Sequence, residues 1–185
     1  MTGFILALVG VLLSGLCARD QMTVAALSRR QGPRPGVLAV AIGVCGISAG
    51  LASWAAMTIA PMMTAPARLF LAAIALGFAG LEALALSPGR EPQEPTLSLG
   101  ALAVVLLAHQ LTDASRFLIF GIALAADAWM PAGLGGGLAG ILLLAAAWGA
   151  PELFVWRNLR WVRRALGLVM LLTALWLGLQ VMGNV

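Results

Sequence analysis

The stretch HQLTDASRF, His109 to Phe117, carries a histidine, an aspartate and an arginine between two almost wholly apolar runs. LSLGALAVVLLA precedes it and LIFGIALAA follows it. Runs of this length and apolarity read as a helix crossing a membrane. A charged side chain at the centre of a bilayer costs about 2.5–3.5 kcal/mol on insertion scales, so such residues face a bundle interior or an aqueous cavity. His109, Asp113 and Arg116 therefore mark a site inside a helical membrane protein.

The rest of the chain agrees. Of its 185 residues, 62% are hydrophobic and 10% charged, and the mean hydropathy is +1.01. A soluble domain of this size needs more polar surface than that composition supplies, so the lipid bilayer is the expected partner. The net charge of +4 rests on eleven arginines and no lysine, too few and too dispersed to argue for nucleic acid. Cys17 and Cys45 both lie in apolar runs and form neither a disulfide framework nor a zinc signature.

Six segments are long and apolar enough to span, roughly 3–27, 36–59, 67–86, 98–125, 132–150 and 162–182. The fold class expected is all-α, a polytopic membrane protein of six transmembrane helices. The first segment reads as a retained helix and not a signal peptide, because its first charge is Arg19. Residues 87–97, within the proline-rich SPGREPQEPTL, form the one linker. They separate a first three-helix repeat, 1–86, from a second, 98–185. Arginines at 29, 30 and 34, at 90, and at 157, 160, 163 and 164 occupy alternate connections, whereas the other connections hold only Arg68. The positive-inside rule then puts those arginine-rich loops in the cytoplasm and both termini outside.

The two halves are comparable. LLSGLCARDQMTVAALS in the first and LLAHQLTDASRFLIFGI in the second each place an aspartate, Asp20 or Asp113, inside an apolar segment. Three helices per half is an odd number, so the second copy is inverted in the membrane. Inverted repeats with polar interruptions at matching positions point to a transport site at the repeat interface. Cys17 and Asp20 are three apart, as are Gln110 and Asp113, which puts each pair on one helix face, with Ser14 continuing the first. Thr112 and Ser115 flank Asp113. Carboxylates among hydroxyls and amides suit hard cations such as calcium, magnesium or manganese.

CARDQM, Cys17 to Met22, and QLTDAS, Gln110 to Ser115, resemble the paired Glu-x-Gly-Asp-Lys/Arg-Thr/Ser motifs of the Gdt family of manganese/calcium cation transporters. The resemblance extends over most of the chain, including the turn RRQGPRPG. It implies two inverted three-helix repeats with one motif in the first helix of each. It implies Asp20 and Asp113 as ion ligands, Ser115 as a motif hydroxyl, and Gln110 and Cys17 at positions the family fills with glutamate. It also implies a substrate, manganese or calcium, exported in exchange for protons across a bacterial inner membrane, with no resident cofactor. Against the family pattern, Arg19 and Thr112 stand at glycine positions, and Gln21, Ala114 and Met22 at polar ones. The site keeps two carboxylates, and Arg19 and Arg116 bring the local charge to zero.

Other readings stand beside this one. Asp113 and Arg116 could neutralise each other as a structural ion pair, with Asp20 facing Arg19 or Arg116, in a membrane protein that transports nothing. A transporter of another small solute would use Arg19 or Arg116 to hold an anionic group. His109 reads as a hydrogen-bonded bundle residue, Cys17 and Cys45 as packing residues, and Glu82 as a carboxylate reaching the interface. GLGGG, Gly133 to Gly137, lacks a phosphate-loop lysine and reads as close packing. Trp156 and Trp161 beside arginines read as an interfacial belt. No nucleophile–base–acid set is present, so no enzyme is expected. A Gly32→Cys variant should react with a membrane-impermeant maleimide only from the cytoplasmic face; labelling only from outside overturns the orientation.

Overall fold

The structure is a computed structural model that describes residues 1–85, 97–155 and 158–183, with side chains from 155 and 158–160 excepted. Most of the 87–97 linker, Arg90, Trp156, Arg157 and the Arg160 side chain lie outside the described residues. Every regular element described is helical. Eight α-helices follow in order: α1 Thr2–Ser14, α2 Arg19–Gln31, α3 Pro35–Ile59, α4 Ala65–Ala85, α5 Leu99–Leu111, α6 Ala114–Ala125, α7 Trp129–Gly149 and α8 Asn158–Gly183.

Among the described residues, α3, α4, α7 and α8 are each long and apolar enough to cross a membrane. The expected first and fourth spans are not single rods. Each is a bent pair, α1 with α2 at 59° and α5 with α6 at 53°, which brings the number of spans to as many as six if each pair is one crossing. The first break has a local cause. Ser14 ends α1, Cys17 takes a left-handed φ of 60°, and Ala18 is extended before α2 starts at Arg19. The backbone remains satisfied across it, with Gly15 N–H donating to Val11 O at 2.8 Å and Ala18 N–H to Gly15 O at 3.0 Å. At the second break Asp113 caps α6, its carboxylate accepting from Ser115 N–H at 3.0 Å.

These breaks correct the same-face geometry expected of the two motifs. Cys17 belongs to the turn and Asp20 to α2; Gln110 belongs to α5, and Asp113 caps the next helix. An i,i+3 relation holds only along one continuous helix, so neither pair shares a helix face. Ser14 closes α1 and is buried, with no hydrogen-bond partner for its hydroxyl among the described residues.

The two halves of the chain interleave. α1 packs on α7, α4 on α6 and α8, and α3 on α5, α6 and α7. One apolar cluster joins Val24 and Leu27 of α2, Val37 and Val44 of α3, Leu102 and Leu106 of α5 and Leu144 of α7. Neither half has a core of its own. The outward faces carry large exposed apolar side chains, among them Ile5, Leu51, Val104, Leu134, Leu168 and Trp176. Water would not tolerate so much apolar surface, whereas acyl chains match it. At one end of α8, the Arg164 guanidinium lies 5.4 Å from the Trp161 ring centre, and Trp161 is exposed as a belt residue would be.

Small residues set the helix spacing. In α7 a methyl added to Gly135 would overlap the backbone carbonyl of Phe4 in α1. Between α4 and α8, Gly80 and Gly167 face each other, and a Cβ on Gly80 would lie 2.7 Å from Gly167 O. Lipid supplies no hydrophobic drive between helices, so such close approach is how dispersion contacts accumulate. Gly43 of α3 has nothing within 4 Å of the corresponding position. Gly135→Ala should therefore cost about 1–3 kcal/mol as overpacking and lower the thermal midpoint in detergent, while Gly43→Ala leaves it unchanged or raised; equal effects would show that the α1–α7 approach is not tight.

Candidate functional site

The two helix breaks meet inside the bundle, and polar side chains fill the space between them. Asp20, in the first turn of α2, accepts from its neighbour Gln21 N–H at 2.8 Å and from Gln110 Nε2 at 3.0 Å. That second bond joins the two motifs directly, across 90 residues of sequence. A carboxylate can only accept, so the Gln110 amide nitrogen must face Asp20 and its carbonyl must face the other way. There Gln110 Oε1 accepts from Ser48 Oγ at 2.8 Å. Ser48 in turn accepts from Arg116 Nε at 2.9 Å, and the Arg116 NH2 group donates to Cys45 Sγ at 3.3 Å. Asp20, Gln110, Ser48, Arg116 and Cys45 thus form one continuous chain of bonds through α2, α5, α3 and α6, and all five are buried.

A second group lies around Asp113. Its Oδ1 is 3.5 Å from Arg163 NH2, and that same nitrogen is 2.5 Å from Glu82 Oε2. Glu82 also accepts weakly from Ala114 N–H at 3.4 Å, and its Oε1 lies 3.9 Å from Arg19 NH2. Arg19 donates to Thr112 Oγ1 at 3.0 Å, and the Thr112 hydroxyl lies 3.2 Å from Ala108 O. Arg19 and Asp20 are neighbours at the start of α2, and Asp113 N–H donates to Gln110 O at 3.2 Å, so the two groups adjoin. Three carboxylates, Asp20, Glu82 and Asp113, face three guanidinium groups, Arg19, Arg116 and Arg163. The formal charges sum to zero, which lowers the cost of placing five of the six side chains inside the bundle, Arg19 being partly exposed.

The acids at both breaks sit at helix N-termini. Unpaired N–H groups and the helix dipole favour negative charge there, by about 0.3–1 kcal/mol at exposed sites and more when partly buried. This is why a broken helix can hold an aspartate in an apolar surround where a continuous one would leave it unsupported.

Several expectations need correction. The ion-pair partner of Asp113 is Arg163, not Arg116; the Asp113 break redirects α6, and Arg116 reaches Ser48 and Cys45 on α3 instead. Glu82 does not reach the interface but is 6% exposed, held inward by Arg163. Arg163 is not a loop residue either: it is 4% exposed inside the bundle, which removes one arginine from the cytoplasmic count. His109 is half-buried, and its Nδ1 has no hydrogen-bond partner among the described residues. Ser115 contributes its backbone N–H to Asp113. Cys17 is buried in the first turn, while Cys45, a packing residue by sequence, carries a hydrogen bond from Arg116. Arg68, at the far end of α4, pairs with Asp127 at 3.0 Å.

Glu82 and Arg163 are the functional candidates that the motifs alone do not reveal. Glu82 stands alone in an apolar helical run near a helix end, where snorkelling is the simpler reading, and Arg163 is hidden in the cluster Arg157, Arg160, Arg163 and Arg164, which reads as a positive connection. Among the described residues no three His, Cys, Asp or Glu side chains converge as a tight metal site would require. An apolar groove of about 390 Å³ between α3, α4 and α6 reaches inward to Ser48 and Arg116. The chain matches no family model, and neither a curated protein nor a solved structure shows significant similarity to it.

Ser48 is the joint of the first network. Ser48→Ala would strand Arg116 Nε and Gln110 Oε1 in a buried setting, at about 1–3 kcal/mol for each unsatisfied group. Its thermal midpoint in detergent should fall well below that of Ser53→Ala, whose hydroxyl bonds only the Gly50 carbonyl one turn back. Indistinguishable midpoints would remove Ser48 from the network.

Proposed function

We propose that this chain is a secondary transporter that exports a divalent cation, manganese or calcium, in exchange for protons. Its site is the crossing of the α1/α2 and α5/α6 breaks. The observation that carries the reading is the meeting of two interrupted helices, each presenting an aspartate at the start of its second half, joined by the Gln110–Asp20 bond. Interrupted helices at a repeat interface are a recurrent way to build an ion site at the bilayer midplane. In this reading the six spans form two inverted three-helix repeats in a bacterial inner membrane with both termini outside. The motif resemblance to the Gdt family supports the same substrate class.

The chemistry follows from the acids. Exchange needs a group that holds the cation in one half-cycle and a proton in the other, and a carboxylate can do both. Asp20 and Asp113 fill that role, with Gln110 as a neutral oxygen ligand once its amide turns from Asp20. Bound cation and internal guanidinium groups compete for the same oxygens, so the resting site holds its own counter-charges and loads only when a cation displaces them.

One observation favours a second reading. The three-to-three balance of carboxylates and guanidinium groups is also what a non-transporting membrane protein would use to stabilise buried charge.

Transport separates the two. In inverted vesicles preloaded with acid, the wild type should accumulate Mn²⁺ added outside, without ATP, as protons leave the lumen. Asp20→Asn and Asp113→Asn, at equal protein level, should each reduce that uptake to the level of empty vesicles. If wild-type vesicles take up no more Mn²⁺ or Ca²⁺ than empty ones, the non-transporting reading replaces this one.

A further inference from the structure

The geometry points to a cation seat between Glu82 and Asp113 that is occupied at rest by the chain's own Arg163 guanidinium, a tethered competitor of any divalent cation entering the site. The transport role of this seat rests on the exporter reading above; its existence does not.

Three observations place Arg163 in a cation's position. A single nitrogen, NH2, serves both acids, at 2.5 Å from Glu82 Oε2 and 3.5 Å from Asp113 Oδ1. Its Nε has no hydrogen-bond partner among the described residues. An arginine used for a permanent buried ion pair presents its planar fork, two parallel N–H groups to one carboxylate. Here the guanidinium acts as a point charge between two carboxylates on different helices. The second observation is Glu82 Oε1, buried and without a hydrogen-bond partner among the described residues; Arg19 NH2 stands 3.9 Å from it, beyond hydrogen-bond length. That oxygen remains to be ligated. The third is a further oxygen nearby: Thr112, exposed and next to Asp113 in sequence, accepts through Oγ1 from Arg19 NH2, the same nitrogen that lies 3.9 Å from Glu82 Oε1.

Two carboxylates and a hydroxyl make a hard-oxygen set, suited to Mn²⁺, Ca²⁺ or Mg²⁺ with water completing the shell. With Arg163 in place the seat's two negative charges meet a positive one and its centre is filled. Without it Arg19, 3.9 Å from Glu82 Oε1, is the counter-charge left beside the two acids, and a divalent cation is the natural replacement. Arg163 comes from α8 and Glu82 from α4, the two helices that touch at Gly80 and Gly167. Withdrawal of the arginine, by a change of its side-chain rotamer or by movement between these helices, couples loading of the seat to the α4–α8 contact.

The test uses the full chain purified in detergent, with Mn²⁺ alone as the probe. Free Mn²⁺ is followed by its electron paramagnetic resonance signal, and thermal unfolding is recorded with and without the ion. Arg163→Gln should bind Mn²⁺ about tenfold or more tighter than the wild type, because affinity for a hard cation rises with the net negative charge of its ligands. Mn²⁺ should also raise its thermal midpoint, since a ligand bound only by the folded state stabilises it. The double variant Glu82→Gln with Arg163→Gln should bind no tighter than the wild type. The seat is overturned if Arg163→Gln binds as the wild type does, or if the double variant binds as tightly as Arg163→Gln. Should Arg163→Gln extract poorly, folded recovery that depends on Mn²⁺ supports the seat, and recovery equally poor with and without Mn²⁺ overturns it. Tight binding in Arg163→Gln together with no transport by the wild type keeps the seat and removes the exporter. Transport by the wild type with no difference in binding does the reverse.

Discussion

Burial of ionised groups in a medium that cannot solvate them is the constraint on which the rest of this structure depends. The Arg163 contact with Glu82 and Asp113 is its sharpest expression. Removing one partner of such a pair leaves a buried charge uncompensated, at about 3–5 kcal/mol. The three carboxylates and three guanidinium groups are consequently one unit, and the helices that carry them must be placed together. α2 and α6 bring Arg19, Asp20, Asp113 and Arg116; α4 brings Glu82 and α8 brings Arg163. No pair of neighbouring helices could supply this set, which is why the halves of the chain interleave.

The same constraint explains the helix breaks. A continuous apolar helix satisfies its own backbone and has nothing to offer a charge. Interrupting it at Gly15–Ala18 and at Thr112–Asp113 exposes helix N-termini in the interior, where N–H groups and dipoles favour carboxylates. The breaks cost backbone bonds, and local turns restore most of them. Small residues then let the bent segments approach the straight ones. Phe4 of α1 rests against Gly135, and Cys45 against Gly140, next to the Arg116 guanidinium. Close packing and polar chemistry are thus not separate features: the glycines of α7 leave the room in which the Arg116–Ser48–Gln110 chain runs.

A site built in this way is neutral as a whole but divided within. Asp20 is held by an amide, Gln110, whose bond is easily exchanged for another. Asp113 and Glu82 are held by a guanidinium on a long side chain from the last helix. Both arrangements keep the acids stable without committing their oxygens to rigid ligation. A structural ion network gains from fixed, bidentate geometry, which Arg163 does not show; its single NH2 contacts to two acids are the looser arrangement.

Composition and apolar run length determined by themselves that this is an all-helical protein with membrane-spanning segments. An apolar stretch of about 20 residues leaves the backbone no other way to satisfy itself in lipid. The sequence also singled out Asp20, Gln110, Asp113 and Arg116 as polar residues in apolar surroundings, because insertion cost depends on the residue and its neighbours along the chain. Partnership is a different matter. Asp113 and Arg116 are close in sequence yet bond elsewhere: the Asp113 carboxylate caps α6 and meets Arg163, while the Arg116 side chain on α6 reaches across to Ser48 and Cys45 of α3. Glu82 looked like an interfacial charge and Arg163 like one of a cluster of loop arginines, and only the packing of α4 on α8 carried both into the interior beside the Asp113 break. Which charges face one another depends on the relative depth and rotation of helices far apart in sequence, and periodicity along any single helix does not contain that information.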